Sequence, residues 1–131
     1  MPNLINQYLG VHAQAMPLRE QRMKLIASNL SNADTPGYQA QDLDFDAALR
    51  HAQGLSANGT MTTTDARHYE IGGGTHPFLV NRAGVQPSLD GNTVDPDLER
   101  AAYGRAALEY RASLSFVESK VRTMLTAITG Q

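Results

Sequence analysis

The sequence has no cysteine and no tryptophan, and only 6% of its 131 residues are aromatic. Without cysteine there is no disulfide framework, no thiol nucleophile and no thiolate-held zinc; the absence suits an oxidising and a reducing compartment equally. Charge is also scarce, at 18% of residues. Eleven Lys and Arg against thirteen Asp and Glu leave a formal net charge of −2, so the basic face of a nucleic-acid binder is missing. No apolar run approaches the roughly 18 residues that a membrane span requires. The opening MPNLINQYLGVHAQ has neither a basic start nor an unbroken apolar stretch, and we expect no cleavable secretory signal. What remains is a chain of single-domain length whose burial falls to Leu, Ile, Val, Met and Ala.

The chain divides into a periodic head (1–38), a loose middle (39–94) and a periodic tail (95–131). In the head, Leu4, Ile5, Tyr8, Leu9, Val11, Ala15, Met16, Leu18, Met23, Leu25, Ile26 and Leu30 recur at spacings of three and four, an amphipathic helix with a wide apolar stripe. Pro17 lacks the N–H that a helix interior needs, which predicts a kink or restart near residue 16. The tail begins with Asp95-Pro96-Asp97, a capping side chain followed by a proline suited to the first helical position. From there Tyr103, Ala107, Tyr110, Leu114, Val117, Val121, Met124 and Ile128 alternate steps of four and three, a heptad seam. Gly130 stands where a helix stop is expected.

The middle has weaker signals. Residues 42–53 predict a short helix burying Phe45, Ala48 and Leu49. Residues 54–76, rich in Gly, Thr, Ser and Asn, cannot offset their own ordering entropy and read as a long flexible loop. Phe78-Leu79-Val80 and Val85 are strand-like, and Asp90-Gly91 marks a turn. The expected fold is mainly α: an elongated antiparallel coiled coil of N- and C-terminal helices, with a loop-rich middle and a minor β hairpin. Length supports the elongation. A compact globule of this size is roughly 35 to 40 Å across, whereas a tail helix of about 33 residues is about 50 Å long. Leu108, Ala112 and Phe116 add a second apolar face to that helix, which predicts packing against neighbouring subunits rather than burial under the middle segment.

Signals of catalysis are poor. His12, His51, His68 and His76 lie far apart, and no pair has helical metal-ligand spacing. Asp42, Asp44 and Asp46 imitate the opening of a calcium loop, but Ala47 replaces the turn glycine and Gln53 the closing Glu. Gly72-Gly73-Gly74 has no GK[ST] after it and reads as a hinge. Neither G-x-S-x-G nor H-E-x-x-H occurs. We therefore expect no enzyme, no cofactor and no small-molecule substrate.

The most distinctive stretch runs from Ala27 to Tyr38, ASNLSNADTPGY. Physically it is a helix followed by a turn: Asn32 is suited to a left-handed helix stop, and Thr35-Pro36-Gly37-Tyr38 has the Pro and Gly of a type II turn. This segment resembles the N-terminal signature of the bacterial flagellar rod and hook family, A-N-N-x-A-N-x-x-T-x-G-Y. Asn29, Leu30, Asn32, Thr35, Gly37 and Tyr38 match it, with Ser28 and Ser31 as small departures and Pro36 filling the variable place. The downstream PSLDGNTVD, carrying Asn92, Val94 and Asp95, and the short chain look like the proximal members of the rod. Pro17 departs from the unbroken helix usual there.

The resemblance implies a structural subunit exported by the flagellar type III apparatus without a cleaved signal peptide. Its terminal helices would pair on assembly into a periplasmic rod of the flagellar basal body. The implied partners are other proximal rod proteins, a rod-to-ring adaptor, the membrane ring and the export gate, together with further copies of the chain. The expected assembly residues are the turn Asn29 to Tyr38, the helix start Asn92 to Asp95, the seam Tyr103 to Ile128, and Leu108 and Phe116. The competing expectation is a soluble helical adaptor or secretion chaperone gripping a client with residues 54–76; a wall-cleaving enzyme ranks last.

Overall fold

The computed structural model describes residues 8–54, 78–84 and 88–130. Leu4 and Ile5 of the head stripe, the loop from residue 55 onward with its glycine triplet, His68, His76 and Val85 lie outside the described residues. The elements in chain order are helix α1 (Val11–Ser31), strand β1 (Gln41–Leu43), helix α2 (Phe45–Ala52), strand β2 (Leu79–Asn81) and helix α3 (Pro96–Thr129).

Helix α3 starts and stops where its sequence directs. The Asp95 carboxylate accepts from the N–H groups of Asp97 and Leu98, and Pro96 fills the first position. Gly130 closes the helix at φ 72°, donating its N–H to Thr126 O. At ~1.5 Å per residue its 34 residues span about 51 Å. Helix α1 does not restart at Pro17, one of the two outcomes expected there: it is helical from Val11 to Ser31, and a break falls earlier, at Gly10, whose φ of 70° is one that a side chain disfavours. The Lys120 ammonium also lies 3.2 Å from where a Cβ on Gly10 would sit. Asn32 is a second correction. Its φ is −103°, not left-handed, and the helix end is closed instead by its backbone N–H and its side-chain amide, both donating to Ser28 O.

Helices α1 and α3 pair antiparallel in a constant register. Tyr8 O accepts from Lys120, His12 stacks on Phe116 with ring centroids 4.5 Å apart, Arg19 pairs with Glu109 at 3.1 Å, and Asn29 donates to Glu99 at 3.3 Å. Steps of four, seven and ten residues up one helix are matched by equal steps down the other. The line at the centre of this contact on α3 is Glu99, Ala106 and Ser113, all buried, and the same register sets Ala15 opposite Ser113. It is not centred on the expected heptad. Ala106 and Ser113 immediately precede Ala107 and Leu114, so the seam is rotated to the flank of the pair. Tyr110, Val117 and Met124 are half-buried there, and Tyr103, Leu114, Val121 and Ile128 are exposed. Small side chains at the centre let two backbones approach closely, and Ala and Ser carry little hydrophobic signal of their own.

The other flank of the pair is covered. Strand β1 lies antiparallel to β2, with Gln41 opposite Asn81 and Leu43 opposite Leu79. Asp44 N–H to Phe78 O and Arg82 N–H to Ala40 O extend the ladder at both ends. The minor sheet therefore takes one strand from the expected place and pairs it with Gln41–Leu43; Val85 lies outside the described residues. Helix α2 follows, capped by Asp44 accepting from the Ala47 N–H, and buries Ala48 with Phe45 and Leu49 half-covered. The core is thin: among the described residues Ile26 and Leu43 are its only large buried apolar side chains, beside Ala15, Ala40, Ala48 and Ala106.

Because Pro17 cannot donate to Ala13 O, Pro17→Ala restores a helical bond at an exposed position. We expect a gain of about 2 kcal/mol, the helix-interior proline penalty less the added freedom of the unfolded chain. A rise in the thermal midpoint of the purified chain checks it.

Candidate assembly surface

The turn after α1 is built by backbone demands. Tyr38 N–H donates to Thr35 O, and Gly37 has φ 71°, the positive value that the third place of a type II turn requires. Thr35 also donates its hydroxyl to the Asn32 side chain. The turn is then fastened to the segment before α3. The Asn92 amide, almost fully buried, donates to three carbonyls at once: Asn32 O at 3.0 Å, Ala33 O at 2.8 Å and Thr35 O at 2.9 Å. Its own oxygen accepts from Val94 N–H at 2.8 Å. Gly37 N–H reaches Asp90 O at 2.8 Å, and Thr93 bonds both Tyr38 O and Ala40 N–H. Asp90 in turn accepts from Asn92 N–H, and that bond, with a second from Ser88, holds its carboxyl below the ordinary value. The stretches ASNLSNADTPGY and SLDGNTVD, well separated in sequence, are thus joined by hydrogen bonds into one unit.

Behind the turn lies a polar cluster. Asn29 is fully buried and bonds the backbone of Gln41 in both directions, donating to its O at 2.8 Å and accepting from its N–H at 3.0 Å. Tyr38 donates its hydroxyl to the same Asn29 oxygen at 3.3 Å. The Asn29 amide also meets Glu99, whose second oxygen pairs with Arg82 at 2.7 Å. Arg82 continues to Asp42 at 2.8 Å, and Arg22 grips both oxygens of Asp42 at 3.1 and 3.2 Å. Burial alone would raise the Asp42 carboxyl. The hydrogen bonds from Arg22, Leu43 N–H and Arg82 outweigh it and hold the group below its ordinary value. Two of the three would-be calcium ligands are thus otherwise engaged, Asp42 by two arginines and Asp44 as a helix cap. Among the described residues no group of three potential ligands could hold a metal.

The expected assembly residues fall into two sets. Asn29, Leu30, Asn32, Thr35, Pro36, Gly37, Tyr38, Asn92, Val94 and Asp95 gather at the base of the helix pair, where Asn29 and Asn92 are internal and Thr35, Pro36 and Gly37 face solvent. Along α3, Leu108 is 69% exposed, Phe116 55% and Ile128 74%, although Phe116 also stacks on His12. Tyr103 and Tyr110 line an open, mainly apolar groove with Met23 and Ala27 of α1. Glu99, Arg82 and Arg22 were not anticipated. An acidic residue in a first helical turn reads as an ordinary complement to the helix dipole, so its burial left no trace in the sequence.

The sequence of the chain belongs to a known class. Residues 9–39 match the family described as flagella basal body rod protein, and the chain belongs to that family. It is similar over nearly its whole length to the flagellar basal body rod protein FlgB of several bacteria. It is 45% identical to that of Cereibacter sphaeroides strain ATCC 17029, covering 94% of each chain. It is 38% identical to that of Aeromonas hydrophila, covering 93% of this chain and 92% of the relative. It is 37% identical to that of Escherichia coli K12, covering 98% and 97%.

Two outcomes test this site. Asn92→Asp keeps the shape but sets an acceptor against three carbonyls, and a loss of about 3 kcal/mol is expected in denaturant unfolding, the range for buried unsatisfied groups. Asp42 is a depressed carboxylate, so its stabilisation is fully present above the unfolded value of about 4. It is lost as pH falls through the lower folded value. Asp42→Asn should cost about 2 kcal/mol near neutral pH and flatten the acid limb of the stability profile.

Proposed function

We propose that this flagellar rod protein is a structural subunit of the proximal rod, assembling helically with other rod proteins. In that role it joins the membrane ring to the distal rod and hook, transmits torque and lines the export channel. The observation that supports this is the outward-facing apolar side of α3. Leu108, Leu114, Val121, Leu125 and Ile128 lie exposed along a helix about 51 Å long, while the buried line of that helix is Glu99, Ala106 and Ser113. A helix that centres its intramolecular contact on small residues and leaves large apolar ones exposed carries the faces of an assembly. Contacts between stacked copies would be head-to-tail and would not close, as a rod requires.

The seam from Tyr103 to Ile128, with Leu108 and Phe116, is the surface we assign to neighbouring subunits, and the Asn29–Tyr38 turn braced by Asn92 is its rigid base. The partners of this reading are the other proximal rod proteins, the rod-to-ring adaptor, the membrane ring and the export gate. Export through the flagellar type III apparatus without a cleaved signal, and a periplasmic position, follow from it. No helix among the described residues is long and apolar enough to cross a membrane. The alternative of a soluble adaptor or chaperone is not favoured by nearly full-length similarity to rod proteins.

Mass spectrometry of detergent-purified basal bodies should recover the chain at a few copies per particle; its absence from rod-bearing particles would overturn the reading. Leu114 is 37% exposed and partly covered by the helix pair, so Leu114→Asp is expected to cost the free chain about 1 kcal/mol. In swim agar it should reduce motility to that of a strain lacking the chain.

A further inference from the structure

The buried cluster behind the turn has an asymmetry. Asp42 is held by two cations, Arg22 and Arg82, whereas Glu99 is held by one, Arg82, with a single longer bond from the Asn29 amide. The Glu99 side chain is 1% exposed and the Arg82 side chain 34%. Glu99 belongs to α3, at the point where its first turns meet the end of α1. Arg82 belongs to neither helix: it follows β2, and its own N–H bonds Ala40 O beside β1. A carboxylate taken out of water needs a partner, and one left without it keeps its hydration by staying out of the interface.

We infer that Glu99 and Arg82 form a docking latch, in which the base of α3 can seat against α1 only when β2 is in place. The charge on Glu99 is what couples the two events. Arg82 carries the middle of the chain into the cluster, neutralises Glu99 and is itself oriented by Asp42. Removing Arg82 leaves Asp42 with Arg22 but leaves Glu99 with no cation among the described residues. The latch would thus stop the helix pair from closing at its base before the middle segment has docked. It goes beyond the proposed rod function, because it concerns the order in which one chain closes, not what the closed chain joins.

Hydrogen exchange of the full-length chain near neutral pH tests this with four forms: wild type, Arg82→Met, Glu99→Gln and the double variant. In Arg82→Met, amides of residues 22–30 and 96–106 should lose protection together, by about tenfold or more. Residues 12–19 and 109–116, beyond the cluster, should change far less. Adding Glu99→Gln should restore the helical protection although the Arg82 cation is still missing, because an amide has no charge to strand. Retained protection in Arg82→Met overturns the latch, and so does a double variant that stays open. A wild-type chain that exchanges freely at both helical segments overturns it as well. If Arg82→Met fails to fold, recovery of a folded chain in the double variant supports the latch and its absence overturns it. None of these readings depends on the rod assignment, whose failure would appear in the basal-body measurement alone.

Discussion

Asn29 is a fully buried amide at the end of a helix, and the base of the molecule is arranged to satisfy it. Its oxygen accepts from the Gln41 N–H and the Tyr38 hydroxyl, and its nitrogen donates to Gln41 O and Glu99. Four parts of the chain therefore converge on one side chain: α1, the turn, β1 and α3. A primary amide offers both donors and acceptors in one plane, so it can mimic a strand edge for Gln41 and still reach a carboxylate. No apolar residue could bring these backbone segments together without leaving their polar groups unpaired. A carboxylate in its place would lose both donated bonds.

Asn92 answers a related demand in the turn that follows α1, where its amide donates to the carbonyls of Asn32, Ala33 and Thr35. Only two of these carbonyls also accept a backbone N–H within the turn, Asn32 from Thr35 and Thr35 from Tyr38. The rest of the turn's bonding is supplied from a segment distant in sequence, making the turn motif dependent on the approach to α3. The two signatures are therefore halves of one structure. Their coupling is directional and polar, while the apolar core is slight. Buried ionic groups of this kind favour one arrangement over its neighbours more than they add stability. That suits a chain whose register must be fixed without a large core.

Much of this was legible in the sequence where the signal is local. The Asp95-Pro96 start and Gly130 stop of α3, the type II turn at Thr35–Tyr38, the short helix at Phe45–Ala52 and the turn at Asp90-Gly91 all follow from single-residue backbone preferences. The misreadings came from context. Pro17 lies on the exposed side of α1, and the tertiary register continues across it, so the helix tolerates a missing bond that would break an isolated one. Strand β1 is three residues long and exists because β2 pairs with it, which no local pattern records. The heptad on α3 was correctly periodic but named the large residues, whereas close helix contact selected Ala106, Ser113 and Glu99 beside them. Arg22, Arg82 and Glu99 were invisible for the same reason: a charged residue reads as surface until its partner is known.

This rotation between the sequence heptad and the packed line has a consequence for how the helix pair can grow. Were Leu114, Val121 and Ile128 at the centre of the α1 contact, the pair would be apolar inside and polar outside, and complete. With Ala and Ser at the centre instead, the helices can approach closely while the heptad stays at the flank, beside the groove of Met23, Ala27, Tyr103 and Tyr110. Near its base one flank of the pair is covered by β1, β2 and α2, and the heptad flank is left open there. On the proposed reading the seam serves contacts between subunits, and the polar cluster at the base fixes the register in which the helix pair presents it.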